Sequence, residues 1–133
     1  MKECAFRLRK GNDLRAEIEA YGKDSTAVVL SAVGCLSSLS VRLAGAEESL
    51  LRQEDYEIVS LTGTISHGRA HLHISVSDRQ GKVFGGHLKY GCIVNTTCET
   101  VLGILEDYDS VRSYDESTGY DEICFTEKTE KGL

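Results

Sequence analysis

Along the first ten residues Cys4, Phe6 and Leu8 alternate with Ala5, Arg7 and Arg9, the period of two that marks a strand with one buried face. After Gly11 the period changes. Leu14, Ile18 and Tyr21 recur at i, i+4 and i+7, which predicts a short helix capped by Asn12 and stopped by a left-handed Gly22. Residues 26–32 form a continuous, β-branched run, as expected of a central strand covered on both faces. Gly34 breaks that run, Leu39, Val41 and Leu43 resume the alternation, and residues 45–48 predict a turn with a hairpin-like return.

From Tyr56 onward the chain reads almost entirely as sheet, over residues 56–65, 70–76, 83–88 and 91–105. His67-Gly68 and residues 78–81 supply the turns. Connections this short imply antiparallel neighbours. Residues 99–105 fit a helix nearly as well, because seven residues do not separate the two periods; the reading adopted is strand. Beyond Glu106 the apolar content drops and Asp, Glu, Ser and Tyr dominate, leaving Ile123, Cys124 and Phe125 as one last short strand. The expected organisation is therefore one domain over residues 1–110, followed by an acidic C-terminal tail, residues 111–133, that is at most partly ordered.

Charge changes this picture in one respect. Residues 1–105 carry 12 basic and 12 acidic side chains, whereas residues 106–133 carry 3 and 9, so the whole net charge of −6 lies in the tail. A neutral body with an acidic tail is a poor match for a polyanion, since DNA affinity comes largely from Lys and Arg neutralising phosphates. The sequence contains no proline, which excludes the Arg-Gly-Arg-Pro core of a minor-groove AT-hook and every PxxP ligand. The longest uncharged stretch, residues 25–41, carries five Ser and one Thr and is too short and polar to span a bilayer. No basic segment precedes an apolar run at the start, so export is not expected. Five cysteines without a C-x-x-C pair suggest neither a disulfide framework nor a zinc ribbon, and a reducing, cytoplasmic setting fits them.

The sharpest chemical feature is the histidines. All four, His67, His71, His73 and His87, fall within 21 residues. If residues 70–76 are a strand whose Ala70, Leu72, Ile74 and Val76 face the core, His71 and His73 share the other face, about 6.5 to 7 Å apart. The turn at 78–81 returns the chain antiparallel and brings His87 toward that face. Three neutral imidazoles define an open site for zinc, or for copper, nickel or iron, with a fourth position for water or an anion. The plainer alternative is two polar residues on a solvated or subunit-facing strand, with His87 capping a turn. His67, beside Gly68, reads as a turn residue. Gly85-Gly86 marks either a bend in a strand or a close approach of backbone to a ligand or another chain, and on the second reading Gly85 and Gly86 are ligand-binding. Cys92 is a weak candidate ligand, and Glu57, Asp78 and Glu99 are carboxylates to which spacing assigns no role. Neither a G-x-G-x-x-G nor a Walker-type phosphate loop nor a G-x-S-x-G elbow occurs.

Several blocks together resemble one family. Arg7-Leu8 with Gly11-x-Asp13-Leu14, then Ser31-Ala32-Val33-Gly34, residues 56–64, residues 71–78 and above all Gly81-Lys82-Val83-Phe84-Gly85-Gly86-His87-Leu88 are similar to successive segments of the PPC domain of plants and prokaryotes. The resemblance covers residues 5 to about 105. It implies an α+β fold with a strongly bent, mostly antiparallel sheet and one or two helices, assembled as a homotrimer. Plant members carry an AT-hook beside the domain, and stand-alone prokaryotic members are often labelled DNA-binding by that association. The resemblance also implies metal binding at the positions matched by His71, His73 and His87. Three functions follow as expectations. The first is a trimeric, cytoplasmic module holding a divalent transition metal, zinc before others, and a small anionic ligand. The second is a DNA-associated regulator. The third is a metal-dependent enzyme that activates water, with Glu57 as proton shuttle.

Overall fold

The computed structural model describes residues 1–129. Among them the element order is β1 (Lys2–Arg9), α1 (Leu14–Tyr21), β2 (Thr26–Arg42), β3 (Leu50–Arg52), β4 (Tyr56–Ser66), β5 (Arg69–Ser77), β6 (Val83–Leu88), β7 (Ile93–Ile104), β8 (Tyr108–Asp115) and β9 (Tyr120–Glu127). Every pairing between these strands is antiparallel. With one short helix, this is the α+β class that the family resemblance implies and with which the strand and helix pattern agrees, and residues 99–105 belong to a strand, not a helix.

β1 to β7 form one sheet in the order β1-β7-β2-β4-β5-β6, with β3 paired to β2. The 17-residue β2 meets β4 at residues 26–28 and again at 35–36, and β6 at its last two residues, where Val41 pairs with Leu88 and Arg42 with His87. The sheet therefore bends until β2, β4, β5 and β6 close a ring. Bending needs irregular register, and the β2–β7 ladder slips at Val29/Ser31, Gly34/Cys35 and Leu36/Ser38. Gly34 thus does not break the strand, contrary to the sequence expectation. A Cβ there would lie 2.1 Å from the Thr97 carbonyl oxygen, so glycine lets two backbones press together inside a continuous strand.

The buried face follows the alternation. Leu61 and Ile65 of β4, Leu72, Ile74 and Val76 of β5, and Leu102 of β7 pack with Leu14 and Ile18 of α1, each such side chain contributing roughly 1.5–3 kcal/mol on burial. The opposite face of β2 is not covered: Leu30 is 47% and Val33 56% exposed, which corrects the expectation of a strand buried on both sides. Helix capping is also corrected. Asp13, not Asn12, caps α1, accepting the Ala16 amide at 3.0 Å, while Asn12 accepts the Arg9 amide. Gly22 ends the helix at φ −96°, outside the left-handed region. Its Cβ would sit 2.7 Å from Ile65 Cγ2, so packing against β4 keeps the position small.

β8 and β9 form a separate two-stranded hairpin where the sequence predicts little beyond Ile123–Phe125. The Ser110 hydroxyl fastens it, lying 2.7 Å from both Thr26 Oγ1 and Ser66 Oγ in a buried cluster. Period-two patterning is weak here because the hairpin buries few apolar side chains and is held by polar ones. Residues 130–133 of the expected tail lie outside the described residues. No helix among the described residues is long and apolar enough to cross a membrane.

Candidate metal centre

Ala70, Leu72, Ile74 and Val76 are buried in β5 and the residues between them are not, so His71 and His73 project from one face as the alternation requires. Asp78 shapes the following turn by accepting the Gln80 amide at 2.8 Å and the Lys82 amide at 2.9 Å. That turn sets the β5–β6 register, in which His73 pairs directly with His87. The three imidazoles converge. Ring centroids are 5.3 Å apart for His71–His73, 5.3 Å for His71–His87 and 5.7 Å for His73–His87, and one ligating nitrogen from each lies within 4.8 Å of the others. This donor set fits a divalent transition metal with an open position.

Electrostatics favours the ligating form. Burial pushes the His87 imidazole down to about 4, with further lowering by His71, Arg42 and Arg15. Burial lowers His71 as well, reinforced by His73 and Arg112. Both rings are thereby held neutral, the state in which a nitrogen lone pair is free for a metal.

An arginine that sequence reasoning missed braces the site. At the end of the β5–β6 ladder, Arg15 of α1 donates to the Leu88 carbonyl at 3.1 Å and the Ala70 carbonyl at 3.4 Å, the residues next to His87 and His71. Glu19 accepts from Arg15 Nε at 3.4 Å and from the Ala70 amide at 2.9 Å. Tyr90 donates its hydroxyl to Glu19 at 2.5 Å and lies under the Arg15 guanidinium, 4.4 Å from ring centre to Cζ. The signal available in the sequence was the Arg15/Glu19 spacing of four on a helix.

Other candidates lie elsewhere. His67 takes φ 45° in the β4–β5 turn and its Nε2 sits 2.9 Å from Asp109. Cys92 is buried, and its sulfur interacts with the Ser40 backbone, while burial raises its thiol to about 11; it is a core residue. Added Cβ atoms would lie 1.9 Å from the Ile74 carbonyl oxygen at Gly85 and 2.5 Å from that of Arg42 at Gly86. Backbone approach from β5 and β2 accounts for both glycines without a ligand. Glu57 pairs with Ser77 at one end of β4, five residues from Thr62, the partner of His73, and that is about 16 Å along a strand.

A cavity of about 650 Å³ opens beside the histidines, lined by His71, His87, Arg42 and, from the hairpin, Arg112, Tyr120 and Glu122. Residues 1–106, which hold all three histidines, match the model of the Plants and Prokaryotes Conserved (PCC) domain. This chain belongs to that family. Bifunctional protein GlmU of Synechococcus sp. strain JA-3-3Ab is 42% identical over 121 residues, 89% of this chain, and the chain spans only 20% of that relative's length. A Salmonella enterica protein of known structure shares 31% identity and superposes with a TM-score of 0.91, over 96% of this chain and 95% of that one. A metal-containing protein from Archaeoglobus fulgidus shares 28% identity at a TM-score of 0.74, over 92% of each chain. A Bacteroides thetaiotaomicron protein, provisionally described as DNA-binding, has the same PCC fold at 23% identity and a TM-score of 0.78, over 92% of this chain and 91% of that one. The hairpin β8–β9 lies beyond the PCC match.

Proposed function

We propose that this PCC chain is a metal- and small-ligand-binding module that works as a homotrimer, with His71, His73 and His87 holding one divalent transition metal, zinc before others. The observation that carries the reading is the convergence of three ligating nitrogens within 4.8 Å, in a fold shared with a protein described as metal-containing. The metal would act as a Lewis acid and leave one position open to an anion drawn from the cavity. Self-association is supported by the outward apolar side chains Leu30, Val33 and Val59, each about half exposed, and light scattering coupled to size exclusion should report about three chains. A concentration-independent monomer removes the trimer.

DNA association, suggested by the name of the Bacteroides relative, is the second reading. It is opposed by the 12 against 12 charges of residues 1–105 and the acidic remainder. Salt-sensitive, submicromolar binding to duplex DNA in fluorescence anisotropy would reverse this order. For the first reading, elemental analysis of protein purified without a metal-binding tag should find about one metal per chain. His73→Ala should remove most of it and leave the circular dichroism spectrum unchanged, while His67→Ala should retain it. Full metal content in His73→Ala sinks the proposal.

A further inference from the structure

Arg112 enters the cavity from β8, outside the residues that match the PCC model. Its Nη1 donates to the Asp121 carbonyl across the hairpin at 3.2 Å, which tethers the guanidinium to β9. Its Nε and Nη2 are sealed from bulk water and have no partner among the described residues. Those two N–H groups form the side edge of the guanidinium, a pair of parallel donors matched to two oxygens of one carboxylate or phosphate. A buried, unpaired, charged donor pair is costly, so such a fork calls for a partner.

The charges around it set the kind of partner. Arg69 is paired with Asp121 at 3.2 Å and Arg15 with Glu19 at 3.4 Å. Among the remaining lining residues Arg42, Lys89 and Arg112 face Glu47 and Glu122, three positive against two negative. A divalent ion on the histidines would raise this excess of one to three.

We infer that Arg112 is the second anchor of a ligand site beside the histidines, and that the ligand is a small dianion that gives one oxygen to the metal and a pair of oxyanion oxygens to the Arg112 fork. This rests on the metal reading for its first anchor and on the hairpin alone for its second. Because water does not touch the fork, entry requires a side chain to shift, and the charge-assisted bidentate pair is what offsets that shift.

The test is calorimetry on the zinc-loaded full chain with two probes, inorganic phosphate and malonate, and with neutral malonamide as control. At least one dianion should bind saturably and malonamide should not; which one binds assigns phosphoryl or carboxyl chemistry. Arg112→Gln should weaken binding by about 10-fold or more, with zinc content and melting temperature retained. Arg112→Lys should fall between, because the charge remains and the fork is lost. Zinc-loaded protein that binds neither dianion, or Arg112→Gln binding as tightly as the parent, overturns the inference and leaves the metal reading standing. If the chain takes up no zinc, the metal reading fails separately. The same titrations on metal-free protein then decide the Arg112 site: Arg112-dependent binding supports it, and no binding, or binding unchanged in Arg112→Gln, overturns it.

Discussion

His73 on β5 and His87 on β6 are direct cross-strand partners with ring centroids 5.7 Å apart. His71, two residues along the same face of β5, completes the set because strand period and strand register act together. Neither alone suffices. A slip of one residue in the β5–β6 ladder would turn His87 to the opposite face, so the Asp78 turn that sets this ladder is as much a part of the candidate metal centre as the imidazoles.

Two of the three imidazoles are lowered, which makes their nitrogens harder to protonate. His87 is neutral in the folded chain down to about 4, against an unfolded value near 6.5, so protons compete for its nitrogen only at lower pH than in a free histidine. Zinc retained after dialysis across a pH series should persist through 6.5 and fall toward 4. For metal-free protein the same shift acts on stability. Between 6.5 and 4 the unfolded chain binds the proton and the folded chain does not, so stability should fall as pH falls through that window, with denaturant midpoints as the measurement. His71 shifts in the same direction. Burial is the main cause of the His87 value, and the charged neighbours Arg42 and Arg15 add to it.

Arg15→Met should loosen the site without touching a ligand. The change leaves the Leu88 and Ala70 carbonyls without their shared donor and Glu19 without its ion pair, at a cost of about 2 kcal/mol. Urea unfolding should show that loss. The visible spectrum of the cobalt-substituted protein should broaden or weaken relative to the parent, because the backbone next to His71 and His87 is no longer tied.

Gly85→Ala separates two explanations of the Gly-Gly pair. With the Ile74 carbonyl oxygen 1.9 Å from the new Cβ, β5 and β6 must part, and destabilisation of about 3 kcal/mol or more is expected from overpacking. Metal-free and metal-loaded protein should lose similar amounts. A loss confined to the loaded form would return Gly85 to a ligand-binding role.

Ser110→Ala probes the hairpin. Removing the hydroxyl leaves Thr26 and Ser66 facing each other without their shared partner in a buried cluster, a cost of about 1–2 kcal/mol. Hydrogen exchange should accelerate first in residues 108–127, and β4–β5 amides should keep their protection.

The alternation along residues 4–9 and 70–76 was enough to determine strands, faces and the shared side of His71 and His73, because side chains on a strand point to opposite faces at a period of two whatever lies around them. The short turns determined antiparallel neighbours for the same local reason. The blocks around His71 and His87 carried the family. Other features depended on contacts distant in sequence. Gly34 reads as a breaker until Thr97 is seen pressed against it, and Gly22 reads as a left-handed stop until Ile65 is seen beneath it. Arg15 has no visible role until the ends of β5 and β6 bring two carbonyls to it. The hairpin bears an acidic, serine-rich sequence whose period is not reinforced by burial, and only its seating on Thr26 and Ser66 determines that Arg112, 25 residues after His87, lines the same cavity. Local pattern encodes which way a side chain points; which side chains meet is decided by closure of the sheet and docking of the hairpin, where the partners are tens of residues apart.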